Sequence, residues 1–136
     1  MTRILVVLLL FASPFAHADD ASELSVISDT FAKCKENAVT TSDRNSCADV
    51  AYAAAKAQLN KIYGKIVASL QPSRQANDAE IFKRINRSQR TWSNYCEAQC
   101  QFIGSAMLGS SSEGPLIGDC LVSMTLQRAR VLLGNP

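Results

Sequence analysis

Apolar side chains recur at intervals of three and four along most of the chain, and no stretch alternates apolar with polar residues as a strand would. The fullest pattern covers Ile81 to Cys100 and runs slightly beyond. Ile81, Phe82, Ile85, Trp92, Tyr95, Cys96, Phe102 and Ile103 fall on one side, with Ser88, Gln89 and Gln99 among them. Lys83, Arg84, Arg87 and Arg90 fall on the other. This spacing predicts an amphipathic helix of about five turns. It is capped by Asp78 and ends near Gly104. Its apolar face is the surface on which the remaining helices are expected to assemble.

The other elements follow in order. Asp19 to Ser28 reads as a polar, frayed or briefly helical lead-in. Asp29 to Ala38 reads as a short helix carrying Phe31 and Cys34. Ser42 or Asp43 is placed to cap a long helix from about Arg44 to Leu70. Its stripe is Cys47, Val50, Ala51, Ala54, Leu59, Ile62, Tyr63, Ile66, Val67 and Leu70. Gly64 within that stripe suggests a tight crossing. Gln71-Pro72 ends the helix, since a residue before proline is pushed out of the helical region. A short connection over 73–77 favours an antiparallel neighbour. Ser105 to Gly118, with its glycines and Pro115, reads as a long surface loop. Asp119 is the expected cap of a last helix reaching Leu133. The fold class is all-α, with three main antiparallel helices and a short N-terminal helix.

Composition changes this picture mainly at the N-terminus. Arg3, the apolar run Ile4 to Ala12 and Ala16-His17-Ala18 form the pattern of a secretory leader cleaved after residue 18. The run is too short to span a bilayer. Residues 1–18 are therefore expected to be removed, leaving 19–136 as one exported domain, periplasmic or secreted. The leader takes with it the only histidine, His17. A mature chain without histidine has no Ser-His or Cys-His pair and no His-ligated zinc. It also loses one cation, Arg3, which brings the net charge from +2 to +1. So small a charge gives no field of the kind that attracts nucleic acid.

Five cysteines, at 34, 47, 96, 100 and 120, remain in a small exported chain. They predict two disulfides and one cysteine left over, with several connectivities open. Their spacing suits no zinc motif. Nothing in the sequence supplies a base for a reactive thiol, and Cys-x-x-x-Cys on an all-helical pattern is not the arrangement of a disulfide oxidoreductase. No enzymatic activity and no cofactor are expected. Lys83, Arg84, Arg87 and Arg90 form a basic helix face, which is more often solvated than functional. Used functionally, it suits an envelope adaptor that binds an acidic partner.

One ordered set of residues resembles a known family. Cys34 and Cys47 precede and enter an alanine-rich helix containing Leu59-Asn60-x-x-Tyr63. Gln89-x-x-Trp92 and Cys100 come next, followed by Cys120-Leu121-x-x-x-Thr125-x-x-Arg128-x-x-x-Leu132. This order resembles the LprI-like lysozyme-inhibitor family of small exported bacterial proteins over about residues 34–132. Where the family carries Arg-Asp after the tryptophan, this chain has Cys96-Glu97. The resemblance implies Cys34–Cys47 and Cys100–Cys120 as the bridges. Cys96 is then the extra thiol, able in principle to link two chains into a dimer. It further implies a protein partner of the lysozyme type, a cell-wall hydrolase whose cleft holds two carboxyl groups. Ser110, Ser111, Ser112 and Glu113 in the long loop are the candidate plug for such a cleft. Asn60, Gln89 and Arg128 are expected to form a buried polar cluster between helices, with Tyr63 and Trp92 packed beside it.

Overall fold

The computed structural model describes residues 15–70 and 77–134. The apolar run of the expected leader, the expected Gln71-Pro72 stop and nearly all of the 73–77 connection lie outside them. Four helices make up the fold: α1 (Phe15–Asn37), α2 (Thr41–Ser69), α3 (Asp78–Gly104) and α4 (Glu113–Leu132). A 3-10 turn, Ser105–Met107, follows α3. α1 and α2 form one helical hairpin, closed by a disulfide between Cys34 and Cys47. α3 and α4 form a second, closed by Cys100–Cys120. The all-α class and both expected bridges are present.

The two hairpins meet chiefly through α2 and α4. The core is built from Leu24 and Phe31 of α1, from Cys47, Ala48, Ala51, Ala55, Leu59 and Ile62 of α2, and from Val122, Leu126 and Ala129 of α4. The alanines of α2 keep side chains short where backbones come close. Gly118 of α4 marks a close approach to α2, since a Cβ added there would lie 2.6 Å from the Cβ of Ala48. That methyl has no flexible end to move aside. Gly64, expected at a tight crossing, instead faces open space. Opposite outcomes are therefore expected for the same change. Gly64→Ala should raise stability by about 0.5–1 kcal/mol through helix propensity. Gly118→Ala should lower it by about 1–2 kcal/mol, overpacking outweighing the same gain. Thermal unfolding of the two variants checks both signs.

The expectation that α3 organises the fold is corrected. Its buried residues are Asp78, Cys96, Cys100 and Gly104, and it packs on α4. Ile81, Phe82, Tyr95, Phe102 and Ile103 of the expected apolar face are exposed, Phe102 by 72%. α2 takes the central place because its small residues let it pack against helices on two sides.

Local boundaries moved for identifiable reasons. α1 runs through the polar lead-in to Phe15, because Asp20 and Leu24 are both buried against the rest of the fold. α2 begins earlier than expected, capped by Thr40 rather than by Ser42 or Asp43. The Asp43 backbone N–H donates to Thr40 Oγ1 at 3.1 Å, and the Thr40 N–H donates to Asp43 Oδ2 at 2.8 Å, a reciprocal capping box. Asn77, not Asp78, precedes the first turn of α3, with no side-chain cap bond. Asp119 is not a cap either. It lies within α4 and pairs with Lys35 of α1 at 2.9 Å. The long loop over 105–118 shrinks to the 3-10 turn and the residues through Ser112, because Gly114 and Pro115 sit inside the first turn of α4. Proline is tolerated there, where its missing N–H would have had no helical partner.

Candidate functional site

The turn between α3 and α4 is a braced tip. Leu108 N–H donates to Ser105 O at 3.3 Å, Ser110 N–H to Met107 O at 3.0 Å, and Glu113 N–H to Ser110 O at 3.3 Å. Ser112 N–H donates to Ser110 Oγ at 3.2 Å. Gly109 has a φ of +75°, a left-handed conformation that favours glycine. Its N–H donates to Glu113 Oε2 at 2.8 Å. The Glu113 carboxylate thus ties the turn from within. Cys100–Cys120 fastens the base, with the two Cα atoms 5.4 Å apart and Met124 sulfur 3.7 and 3.8 Å from the bridge sulfurs.

Ser110, Ser111 and Ser112 are exposed on this tip. Beside them stand exposed Met107 and Leu108, and Phe102 is exposed on the helix leading in. Sequence reasoning missed these three apolar residues. Periodicity places Phe102 on the core face. Met107-Leu108 had a visible signal, an apolar pair directly before Gly-Ser-Ser-Ser with no periodic partner.

A second surface lies on the N-terminal half of α3. Lys83, Arg84, Arg87 and Arg90 are exposed there, and Arg84 Nε pairs with Glu80 Oε1 at 2.9 Å. Arg84, Arg87, Ser88, Thr91, Trp92 and Tyr95 line a groove of about 480 Å³. Behind it, Arg128 of α4 donates from Nε to Gln89 Oε1 at 3.1 Å and from Nη2 to Ser88 Oγ at 2.9 Å. Its guanidinium carbon lies 5.7 Å from the centre of the Trp92 ring. The structure therefore brings Gln89, Trp92 and Arg128 together. Asn60 is exposed on α2 and so takes no part in a buried cluster, while Tyr63 is half-buried.

A third concavity, about 530 Å³ and largely apolar, lies between α1 and α2 beside Cys34–Cys47 and includes Val26, Phe31 and Val50. Among the described residues, no group of histidine, cysteine, aspartate or glutamate side chains is arranged to hold a metal ion. No helix among them is long and apolar enough to cross a membrane. Cys96 is the free cysteine, only 3% exposed. Burial pushes its thiol pKa up, and the Glu97 charge adds to this. A thiol so placed is not presented at the surface of the folded chain, where a dimer through Cys96 would need it.

The family model described as lysozyme inhibitor LprI matches residues 33–132. An uncharacterized protein of Rhizobium meliloti is 36% identical over 105 residues, covering 70% of this chain and 73% of that protein. No solved structure matches.

Proposed function

The chain belongs to the LprI lysozyme-inhibitor family, and from that premise we propose that it is an exported inhibitor of lysozyme or a related cell-wall hydrolase, with the tip between α3 and α4 as its contact. The observation that carries this reading is the bracing of the tip. A protrusion fixed by backbone hydrogen bonds, by Glu113 and by Cys100–Cys120 loses little entropy on entering a cleft. It offers hydroxyls at Ser110, Ser111 and Ser112 to carboxyl groups, and apolar surface at Met107 and Leu108 to the cleft wall. With a charge near neutral, affinity has to come from contact rather than from long-range steering. Export belongs to the same reading. Cleavage after Ala18 would leave Asp20 in the first turn of α1, where a carboxylate favours the helix N-terminus.

The test is lysis of cell-wall substrate by several lysozyme classes and a lytic transglycosylase, titrated with the oxidised protein. Inhibition of one class is expected. Leu108→Asp, at an exposed position, should weaken it by about tenfold or more, and glycine at Ser110 to Ser112 should weaken it further. Inhibition that survives both changes would move the contact away from the tip. No inhibition at micromolar excess of protein would end the inhibitor reading itself.

A further inference from the structure

We propose that the groove bounded by Arg84, Arg87, Trp92 and Tyr95 binds a carboxylate-bearing saccharide, at a site separate from the tip. It is an open concavity of about 480 Å³ along one side of α3, which can take one face of a sugar rather than enclose it. Its lining combines two aromatic rings, three hydroxyls (Ser88, Thr91 and the Tyr95 phenol) and two guanidinium groups. A pyranose ring matches that set, with C–H groups on its face for an aromatic side chain and hydroxyls on its edge for Ser88 and Thr91. The guanidinium groups ask for an anion as well. A carboxylate accepts two parallel N–H bonds from an arginine, a geometry a neutral sugar does not use.

Two further observations support a built site. Basic side chains outnumber acidic ones there: Lys83, Arg87 and Arg90 are exposed on this stretch of α3, and Arg84 is held in place by the Glu80 carboxylate, which accepts from its Nε at 2.9 Å. The aromatic wall is also held in advance. Trp92 is backed by Arg128, which is itself fixed by Gln89 and Ser88. That support lowers the ordering cost of binding. An acidic peptide fits less well, because this shallow single-helix surface offers neither a sheet edge nor a deep apolar groove, the usual means of peptide capture. Trp92 precedes the end of α3 by 12 residues, which at 1.5 Å per residue sets the groove about 18 Å from the tip.

Trp92 is the only tryptophan in the chain, so intrinsic fluorescence reports on the groove directly. The probe is the disaccharide of N-acetylglucosamine and N-acetylmuramic acid, which carries one carboxylate. The comparator is chitobiose, which lacks it. A saturable fluorescence change is expected with the first, and binding weaker by about tenfold or more with the second, as for the loss of a charge-assisted bond. The variant R84Q/R87Q, altered only at exposed positions, should lose a similar factor while its far-UV circular dichroism is unchanged. Equal affinity for the two disaccharides, or no response at millimolar concentration, would overturn the proposal. So would stronger binding of triglutamate, which would make the groove a peptide site. No hydrolase is present in this assay, so its outcome is independent of inhibition at the tip.

Discussion

Replacing Cys100 and Cys120 together by alanine is expected to lower stability by about 3 kcal/mol, since the bridge closes a loop of 20 residues in the unfolded chain. For a domain of this size the midpoint of thermal unfolding should fall by about 10–15 °C. Alanine is the better replacement because Cys100 is fully buried, and a serine hydroxyl there would have to find a partner. Removing both cysteines leaves no second thiol that an oxidant could couple with Cys96 into a non-native bridge. Helix content at low temperature should persist, because the contact of α2 with α4 rests on Leu59, Ile62, Val122 and Leu126, which the change does not touch. The tip should respond more sharply. With its base unfastened, the segment from Ser105 to Ser112 should become the first site of proteolytic cutting. The Cys34–Cys47 pair closes a shorter loop of 13 residues, so its removal should cost a few tenths of a kcal/mol less. A fall in midpoint of under about 3 °C for C100A/C120A would mean that packing of α3 on α4 holds this hairpin without the bridge.

Much of the fold was legible because periodicity and cysteine position are local properties. The stripe of α2 and the all-helical class could be read from spacing, and both bridges from the family resemblance of the ordered residues. The hub could not. α3 has the largest side chains and the clearest two-faced pattern, so it looked like the centre. Yet burial depends on which helix can be approached from two sides, and Ala48, Ala51 and Ala55 give α2 that property without looking conspicuous. The start of α4 was hidden for a related reason. Gly114 and Pro115 break a helix interior but not its first turn, and nothing local distinguishes the two cases. Of the candidate polar cluster, Gln89 and Arg128 meet because α3 packs on α4, whereas Asn60 lies on an outward side of α2 that its periodicity did not separate from the stripe.

Asp20 was wholly invisible in the sequence, in a segment read as frayed, and its expected effects are large. Its side chain is 1% exposed and accepts from Lys65 Nζ at 2.6 Å and from Gln58 Nε2 at 3.1 Å, with Lys61 Nζ at 3.3 Å. The two lysines are about half exposed, at 45% and 46%. That asymmetry decides which removal costs more. Asp20→Asn releases two ammonium groups that can turn to water, and should cost about 2 kcal/mol. K61M/K65M keeps the aliphatic stems but strands a buried carboxylate, and should cost about 3–5 kcal/mol at neutral pH.

The pH dependence separates the same variants by sign. Burial alone pushes the Asp20 pKa up, but hydrogen bonds and charge from Lys65 and Lys61 outweigh it, and the net direction is below the ordinary value of 3.8. A folded-state pKa below the unfolded one gives stability that is complete above the unfolded pKa and lost as pH falls through the folded one. The parent protein should therefore lose this contribution on acidification below about pH 4, and D20N should not. In K61M/K65M burial is opposed only by the Gln58 bond and, after cleavage at Ala18, by the positive end of α1. If burial dominates, the folded pKa rises above the unfolded value, the folded state binds the extra proton, and acidification through that range should stabilise the variant relative to its own neutral form. Denaturant unfolding of the three proteins from pH 7 to 3 checks this. A parallel loss in all three would remove Asp20 as the source of the pH dependence.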